Sequence, residues 1–243
     1  MRVLAIFSLI FCGTFTVMAQ EAFEKDVMAT SAGDLEITFI GHGTLMLQIG
    51  ETVIHIDPWT RLADYAELPK ADYVLITHHH GDHLDRDALD LVRTDNTVIV
   101  ITELCQPNVD DGLVMHNGDA QVFDEFHVQA VPAYNLVHTR ESGEVFHPKG
   151  QGNGYILTFG DTRVYIAGDT ENTPEMKAFE NIDVAFLPMN LPYTMTPEMV
   201  CDAAKAFRPK MLYPYHYGET DISQLVELLK DEQDIEVRIR NMQ

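Results

Sequence analysis

The sequence predicts an α/β (α+β) fold in which two β-sheets carry helices on their outer faces. Short β-rich runs separated by glycine turns follow residue 34, which is typical of an antiparallel meander. Later in the chain, apolar strands alternate with segments of helical composition, which indicates strand–helix units. No linker-like or low-complexity run divides the chain, so we expect one domain over residues 20–243.

The individual strands are predicted from runs of β-branched and aromatic residues bounded by turn residues. They cover residues 35–40, 44–49, 52–56, 71–77, 97–101, 127–131, 154–159, 162–167, 182–188, 211–215 and 235–239. Helices are predicted over residues 85–92, 197–207 and 222–230. The first has acidic residues in its first turn, which suits the helix dipole, and the second has Pro197 at a first-turn position.

Residues 1–19 have the composition of a secretory signal peptide. Arg2 is the only charged residue before Glu21, an apolar stretch follows it, and Val17-Met18-Ala19 resembles a small-residue cleavage site. The apolar stretch is shorter than the roughly 20 residues that span a bilayer. We therefore expect cleavage near Ala19 and Gln20, export to the periplasm or the medium, and no membrane span in the mature chain.

The charge of the chain restricts its partners. The formal net charge is -22, and such an acidic surface repels nucleic acid and anionic membranes at long range. We expect a small-molecule substrate and no nucleic-acid partner, while the pattern does not indicate an oligomeric state. Cys105 and Cys201 remain after cleavage, and neither belongs to a Cys-x-x-Cys pair. We expect free thiols and a metal site without cysteine.

The densest cluster of metal-ligating residue types is His78-x-His80-x-Asp82-His83, directly after a predicted strand. A loop that leaves a strand can turn side chains two residues apart to the same side. His78 and His80 can therefore hold one ion while Asp82 and His83 hold a second. Imidazole suits zinc and similar transition metals, and a carboxylate adds a hard oxygen ligand. The intervening His79 is predicted to shape the loop.

Other candidate side chains also lie where predicted strands end. Asp169 and His216 each follow an apolar strand at a turn, which places them at a rim where loops gather. Asp57 precedes a proline, and either orients a ligand histidine as a hydrogen-bond acceptor or caps a turn. His42 lies in a Gly-His-Gly turn, where a site role and a purely hydrogen-bonding role are both open. Three more histidines are predicted to be structural or merely exposed, namely His55, His116 and His127.

With these residues, the chain resembles the metallo-β-lactamase-fold hydrolases, whose signature is His-x-His-x-Asp-His after a strand. Within that superfamily it is most similar to the branch that includes ascorbate-6-phosphate lactonase. The segments that carry the resemblance are Gly41-His42-Gly43-Thr44, Asp57-Pro58-Trp59, the run from Thr77 to His83, Pro132-Ala133-Tyr134-Asn135, His147-Pro148-Lys149-Gly150, Gly154-Tyr155, Ala167-Gly168-Asp169-Thr170 and Tyr215-His216-Tyr217-Gly218. The resemblance implies a four-layer αββα sandwich with a two-metal site on one edge.

The resemblance also implies two ligand sets that share Asp169. They are His78, His80, His147 and Asp169 for one ion, and Asp82, His83, Asp169 and His216 for the other. His138 is the alternative to His147, because both follow the same predicted strand, but His147 matches the family position better. The implied cofactors are two divalent ions, with Zn²⁺ preferred and Mn²⁺ as the second choice.

Two metal ions that share a water lower its pKa and polarise an electrophile. The sequence therefore predicts a metal-dependent hydrolase, with Asp82 as a catalytic residue, that acts on an ester, lactone or phosphoester bond. No Gly-x-Ser-x-Gly elbow is present, so a protein nucleophile is not expected. Substrate contacts are predicted for His42, Tyr134, Asn135 and Tyr193. The alternatives are a metal-binding or sensing protein without turnover, and a β-lactam or amide hydrolase.

Overall fold

Residues 23–243, which the computed structural model describes, form two seven-stranded mixed sheets. The predicted signal peptide lies outside these residues and stays a prediction. Within the described part of the chain, no helix has the length and apolar composition needed to cross a membrane.

The first sheet contains seven strands in sequence order. They are β1 Glu24–Thr30, β2 Gly33–Gly41, β3 Thr44–Ile49, β4 Thr52–Ile56, β5 Tyr73–Leu75, β6 Val98–Ile101 and β7 Leu113–Val114. Neighbours from β1 to β4 are antiparallel, and neighbours from β4 to β7 are parallel. Helix α1, Arg86–Val92, is the crossover from β5 to β6 that a parallel pair needs. It begins after Asp85, whose side chain accepts hydrogen bonds from the N–H groups of Asp87 and Ala88.

The second sheet repeats the same plan. Its strands are β8 Ala120–Val122, β9 His127–Ala133, β10 Gly152–Phe159, β11 Thr162–Ile166, β12 Val184–Pro188, β13 Met211–Tyr215 and β14 Glu236–Val237. Neighbours from β8 to β11 are antiparallel, and those from β11 to β14 are parallel. The helices between the later strands are α2 Pro174–Lys177, α3 Pro197–Phe207 and α4 Ser223–Leu229.

The main hydrophobic core lies between the two sheets. The Phe39 ring of β2 lies 6.2 Å from the Phe186 ring and 5.1 Å from the Tyr213 ring. Tyr155 crosses the same interface, and its hydroxyl donates to the carbonyl of Ile76 at 2.8 Å. Alternate side chains of a strand point to opposite faces of the sheet. Because β4 and β12 are buried along their whole length, their outward side chains must be packed against other elements.

Helices cover those outer faces. On β5 the side chain of Leu75 belongs to the inner core, whereas Val74 packs in a separate buried cluster with Leu89 and Val92 of α1. On β11 the Tyr165 ring points outward to Phe207 of α3, at a centroid distance of 6.2 Å. The order helix, sheet, sheet, helix confirms the predicted αββα sandwich.

The predicted bounds of β3, β4, β13 and α3 are confirmed without change. The prediction missed β1, β7, β8 and α2. Most side chains of β1 are exposed, so its sequence resembles a polar loop. The strand forms through its antiparallel hydrogen bonds with β2. The predicted strand over residues 71–77 is shorter, and its last two residues lead into the loop of the metal-site motif. Cys105 and Cys201 are buried free thiols, as expected.

Candidate metal centre

The candidate ligands lie where strands of both sheets end, on one edge of the sandwich. The loop with His78 to His83 follows β5, Asp169 follows β11, and His216 follows β13. Parallel strands of one sheet end at the same edge, so the parallel halves of the two sheets bring these loops together. His147 reaches the same place from the connection between β9 and β10.

A first group of donor atoms is formed by His78, His80 and His147. The Nε2 atom of His78 lies 3.0 Å from Nδ1 of His80. Oδ2 of Asp169 lies 3.3 Å from Nε2 of His147 and 3.9 Å from Nε2 of His78. The structure thus brings together the four residues of the first predicted ligand set.

A second group lies on the other side of Asp169. Its Oδ1 atom lies 3.5 Å from Nε2 of both His83 and His216. Asp82 completes this group, because its Oδ2 lies 3.8 Å from Nε2 of His83 and 3.7 Å from Nε2 of His216. The carboxylate of Asp169 therefore directs one oxygen to each group of histidines.

Several atoms of these groups are buried and have no hydrogen-bond partner within the described residues. They are Nε2 of His83, His147 and His216, and Oδ1 of Asp169. A buried polar atom without a partner costs about 1–3 kcal/mol, and natural proteins have few of them. These four atoms are three imidazole nitrogens and one carboxylate oxygen, which are the donor types that bind divalent metal ions such as zinc. The residues present therefore fit divalent metal ions.

Asp57 orients one histidine of each group. Its Oδ2 accepts hydrogen bonds from Nδ1 of His83 at 2.8 Å and from Oγ1 of Thr77 at 2.6 Å. Because the Thr77 hydroxyl donates to Asp57, it accepts from Nδ1 of His78 at 3.0 Å. Nδ1 of both imidazoles then carries a proton, which leaves Nε2 as the atom that can bind a metal. Of the two roles predicted for Asp57, the orienting one fits these contacts.

His147 is held by a separate network. Oδ1 of Asn135 accepts from Nδ1 of His147 at 2.7 Å, and Nδ2 of Asn135 donates to the buried Glu171 at 3.0 Å. Glu171 also accepts from the backbone N–H groups of residues 136–138. Nδ1 of His138 lies 2.8 Å from Oε1 of Glu171, so His138 faces this carboxylate, whereas His147 lies with His78 and His80 in the first group of candidate donors. Sequence reasoning missed Glu171, because nothing in the sequence marks a carboxylate whose partners are backbone amides.

The protonation of the first group favours metal binding. Burial is the main cause that lowers the pKa of His80, to about 4, and burial also holds the pKa of His78 well below its usual value. Both imidazoles are neutral at pH 7 and offer a lone pair. Burial by itself would raise the pKa of Asp169, but the imidazoles of His216 and His83 outweigh it and hold this pKa well below the usual range.

His83 differs from the first group, because carboxylates surround it. Burial opposes a charge on this imidazole, but Asp169, Asp57 and Asp82 outweigh it and raise the pKa of His83 to about 10 in the metal-free protein. The unfolded value is about 6.5. The charged form therefore stabilises the metal-free fold fully below that value, and this contribution is lost as the pH rises through about 10.

We expect the affinity of the second group for Zn²⁺ to rise with pH across the neutral range. Binding there must displace the proton of His83, whereas His78 and His80 are already neutral. Titration calorimetry in two buffers of different ionisation enthalpy measures the protons released per ion. The expected result is about one more proton for the second group than for the first. Equal proton release at the two groups would contradict the expectation that His83 carries an extra proton in the metal-free protein.

His42 and Gly43 complete the rim of the second group. Nε2 of His42 lies 3.2 Å from Oδ2 of Asp82, and the His42 ring lies 3.7 Å from the His216 ring. A Cβ atom on Gly43 would lie 2.9 Å from Cε1 of His83, so only glycine lets the turn pass this close to the ligand. The contact with Asp82 gives His42 both a site position and a hydrogen-bonding role.

A cavity of about 540 Å³ opens above the two groups of ligands. Trp59, Phe146 and Tyr193 form its aromatic walls, and His42 also lines it. Tyr134 and Asn135 do not belong to the described lining. The Tyr134 hydroxyl donates to Glu175 at 2.8 Å, and Asn135 lies behind His147. Of the four predicted substrate contacts, the structure brings His42 and Tyr193 to the cavity.

The remaining histidines lie outside both donor groups. His55 is fully buried, its Nε2 lies 3.0 Å from the carbonyl of Pro69, and burial lowers its pKa to about 4. His116 is exposed beside Glu103 and Asp119, and His127 is exposed at the beginning of β9. These positions agree with the structural or exposed roles expected for them.

Comparison with known proteins identifies the family to which the chain is similar. A family model described as a beta-lactamase superfamily domain matches residues 36–216, which include His78 to His83, His147, Asp169 and His216. A UPF0173 metal-dependent hydrolase of Bacillus thuringiensis is 32% identical over 215 residues, which cover 81% of this chain and 94% of the relative.

Two solved structures have the same fold. A metal-dependent hydrolase from Parabacteroides distasonis is 49% identical, with a TM-score of 0.87, and the match covers 91% of this chain and 100% of that one. Igni18, a metallo hydrolase from Ignicoccus hospitalis, is 26% identical, with a TM-score of 0.70, and the match covers 86% and 96% of the two chains.

Proposed function

This chain belongs to the β-lactamase superfamily of metal-dependent hydrolases, and we propose that it is a two-metal enzyme that hydrolyses an ester, lactone or phosphoester bond. The family relationship is the premise, and the substrate class and the number of ions are the proposal. The resemblance to the ascorbate-6-phosphate lactonase branch stays a prediction.

One observation carries the proposal for two ions. The two oxygens of Asp169 are directed to different groups of histidines, and the Nε2 atoms of His83, His147 and His216 are buried without partners. A single ion would satisfy one group and leave unpaired atoms in the other. Zn²⁺ suits the imidazole-rich donor set, and Mn²⁺ suits a site that also contains two aspartates.

Divalent ions in these positions would lower the pKa of a bound water towards about 7 and polarise the bond under attack. The chain itself provides the placement. Asp82 is 35% exposed toward the cavity, and its pKa is held far below neutral by the nearby imidazoles of His216 and His42, against the effect of burial. It stays ionised at neutral pH and is placed to accept a hydrogen bond from the attacking water. His42 fixes the direction of this carboxylate.

The composition of the cavity supports attack by water rather than by a side chain. The described lining has no Ser, Thr, Cys or Lys residue, and its polar side chains are the ligands, His42, Arg140, Asn190 and Tyr193. The serine, threonine, cysteine and lysine side chains that commonly form covalent intermediates are therefore absent from this lining. The nucleophile comes from solvent.

The test combines metal removal with a substrate panel. We expect hydrolysis of at least one of p-nitrophenyl acetate, γ-butyrolactone and bis-p-nitrophenyl phosphate by protein reloaded with Zn²⁺ or Mn²⁺, and loss of activity after chelation. Asp82→Ala is expected to lower kcat by about 100-fold or more, since changes to groups that only orient ligands already cost roughly 10–100-fold.

The exposed Asp231→Ala is the matched control, because it removes one carboxylate that does not belong to the described cavity lining. It is expected to keep the wild-type rate. Activity that survives both chelation and Asp82→Ala would overturn the proposed function.

A further inference from the structure

We propose that Arg140 forms an anion-binding subsite at the rim of the cavity, and that the substrate carries a carboxylate or phosphate group away from the bond that is cleaved. This inference rests on the proposed function for the position of the reacting bond. It adds the charge of the substrate and the residue that selects it.

The first support is the distribution of charge. Arg140 is the only Lys or Arg side chain in the described lining of the cavity, in a chain with a formal net charge of -22. No carboxylate of the described residues lies within ion-pair distance of its guanidinium. Arg93, Arg208 and Arg240, by contrast, are each paired with aspartates. The charge of Arg140 is therefore available to a ligand.

The second support is the way in which Arg140 is positioned. Thr139 pairs with Val145, and the N–H of Arg140 donates to the carbonyl of Glu144 at 2.7 Å. The turn closes through the N–H of Gly143, which donates to the carbonyl of Arg140 at 2.9 Å, with a φ of +87° at Gly143. This short hairpin leads directly into Phe146 and His147, so Arg140 is placed relative to a metal ligand.

The side chain of Arg140 is also restrained. Its guanidinium carbon lies 5.0 Å from the centre of the Phe146 ring, and Nη2 donates to the carbonyl of Phe146 at 3.3 Å. A guanidinium held over a ring face can still use its other N–H groups for two-point contact with a carboxylate or phosphate. These contacts reduce the freedom that an exposed arginine must lose on binding.

The shape of the cavity specifies the rest of the ligand. The lining combines the candidate metal ligands with the exposed Arg140 and with the aromatic rings of Trp59 and Tyr193. An adjoining outer space, which Arg140 shares, is also lined by Glu144. That carboxylate disfavours an anion in the outer space. The fitting substrate is a small anionic ester or lactone with an apolar or ring-shaped body.

The size of the effect follows from exposure. Arg140 is exposed, so solvent and salt screen its charge, and we expect about a tenfold preference for an anionic ligand over a neutral one. The preference should decrease as salt is added, because the Debye length falls from about 10 Å at 0.1 M to about 3 Å at 1 M.

The test measures binding, and so does not depend on turnover. The Zn²⁺-loaded protein is titrated calorimetrically with butyrate, succinate, glutarate and 3-phosphonopropionate. In each dianion one carboxylate matches that of butyrate, and the second anionic group is the variable. We expect at least one dianion to bind about tenfold more tightly than butyrate, and the best chain length to report the span from the metal ligands to Arg140. The phosphonate arm distinguishes a phosphate-bearing substrate from a dicarboxylate.

Arg140→Gln should remove this preference, Arg140→Lys should retain part of it, and butyrate should bind equally to all three proteins. Arg86→Gln is the matched control, because Arg86 lies on α1 outside the cavity lining. Equal binding of butyrate and the dianions by the wild type, or a preference that survives Arg140→Gln, overturns the inference. If the protein hydrolyses none of the test substrates but still binds the dianions more tightly through Arg140, the result would count against the proposed reaction and not against the anion-binding subsite.

Discussion

Asp169→Asn is expected to have the largest effect of any single substitution, with loss of both metal ions and of hydrolysis. Asp169 lies between the two donor groups, and each of its oxygens is within 3.5 Å of an imidazole Nε2. Asparagine has the same shape but has an NH₂ group in place of one oxygen. This group would point at the unpartnered nitrogens of one group, and the negative charge would be lost.

Mutation of a group that only orients a ligand already lowers metal affinity by roughly 10–100-fold. The loss of a shared ligand should therefore lower the affinity by more than about 100-fold at each site. Metal content after gel filtration, measured by plasma emission spectrometry, should fall from about two ions per chain to fewer than one. The unfolding temperature of the metal-free variant, together with the exposed Asp231→Asn as control, distinguishes ligand loss from misfolding. Retention of two ions by Asp169→Asn would contradict the bridging role.

The part of the site that the sequence predicts is the part that lies in short segments. The motif from His78 to His83 is contiguous, and Asp169 and His216 each lie just after an apolar strand, so local pattern places them at a rim and the family resemblance assigns them as ligands. The core strands β3, β4 and β13 are predictable for the same reason. Both of their faces are covered, and their apolar runs end at turn residues.

The networks that orient the ligands are not predictable in this way. Glu171 accepts hydrogen bonds from backbone N–H groups more than thirty positions earlier in the chain, and such contacts leave no trace in residue types. Asn135 is predicted to face substrate from its position on a loop, but its amide connects Glu171 to His147. Arg140 has no sequence signal of its own, because only the hairpin of residues 139–145 brings it to the cavity.

Asp57→Asn is expected to weaken metal binding at both groups, although Asp57 belongs to neither. Its carboxylate accepts from His83 directly and from His78 through the Thr77 hydroxyl. Asparagine has a single oxygen that can accept, so at least one of these contacts is lost. We expect the affinity for Zn²⁺ to fall roughly 10–100-fold and hydrolysis to fall with it at low metal concentration. Asparagine is preferred to alanine, since Asp57 has a φ of +44°, which asparagine tolerates.

Thr77→Val separates the two routes. It removes the hydroxyl between Asp57 and His78 but leaves the contact of Asp57 with Nδ1 of His83 in place. Asp57→Asn should therefore weaken both ions, whereas Thr77→Val should weaken mainly the ion held by His78, His80 and His147. Competition between the protein and a chromogenic chelator gives the two affinities separately. If Asp57→Asn changes neither affinity by more than about twofold, the imidazoles are oriented by packing alone, because the loss of an orienting carboxylate otherwise costs at least about tenfold.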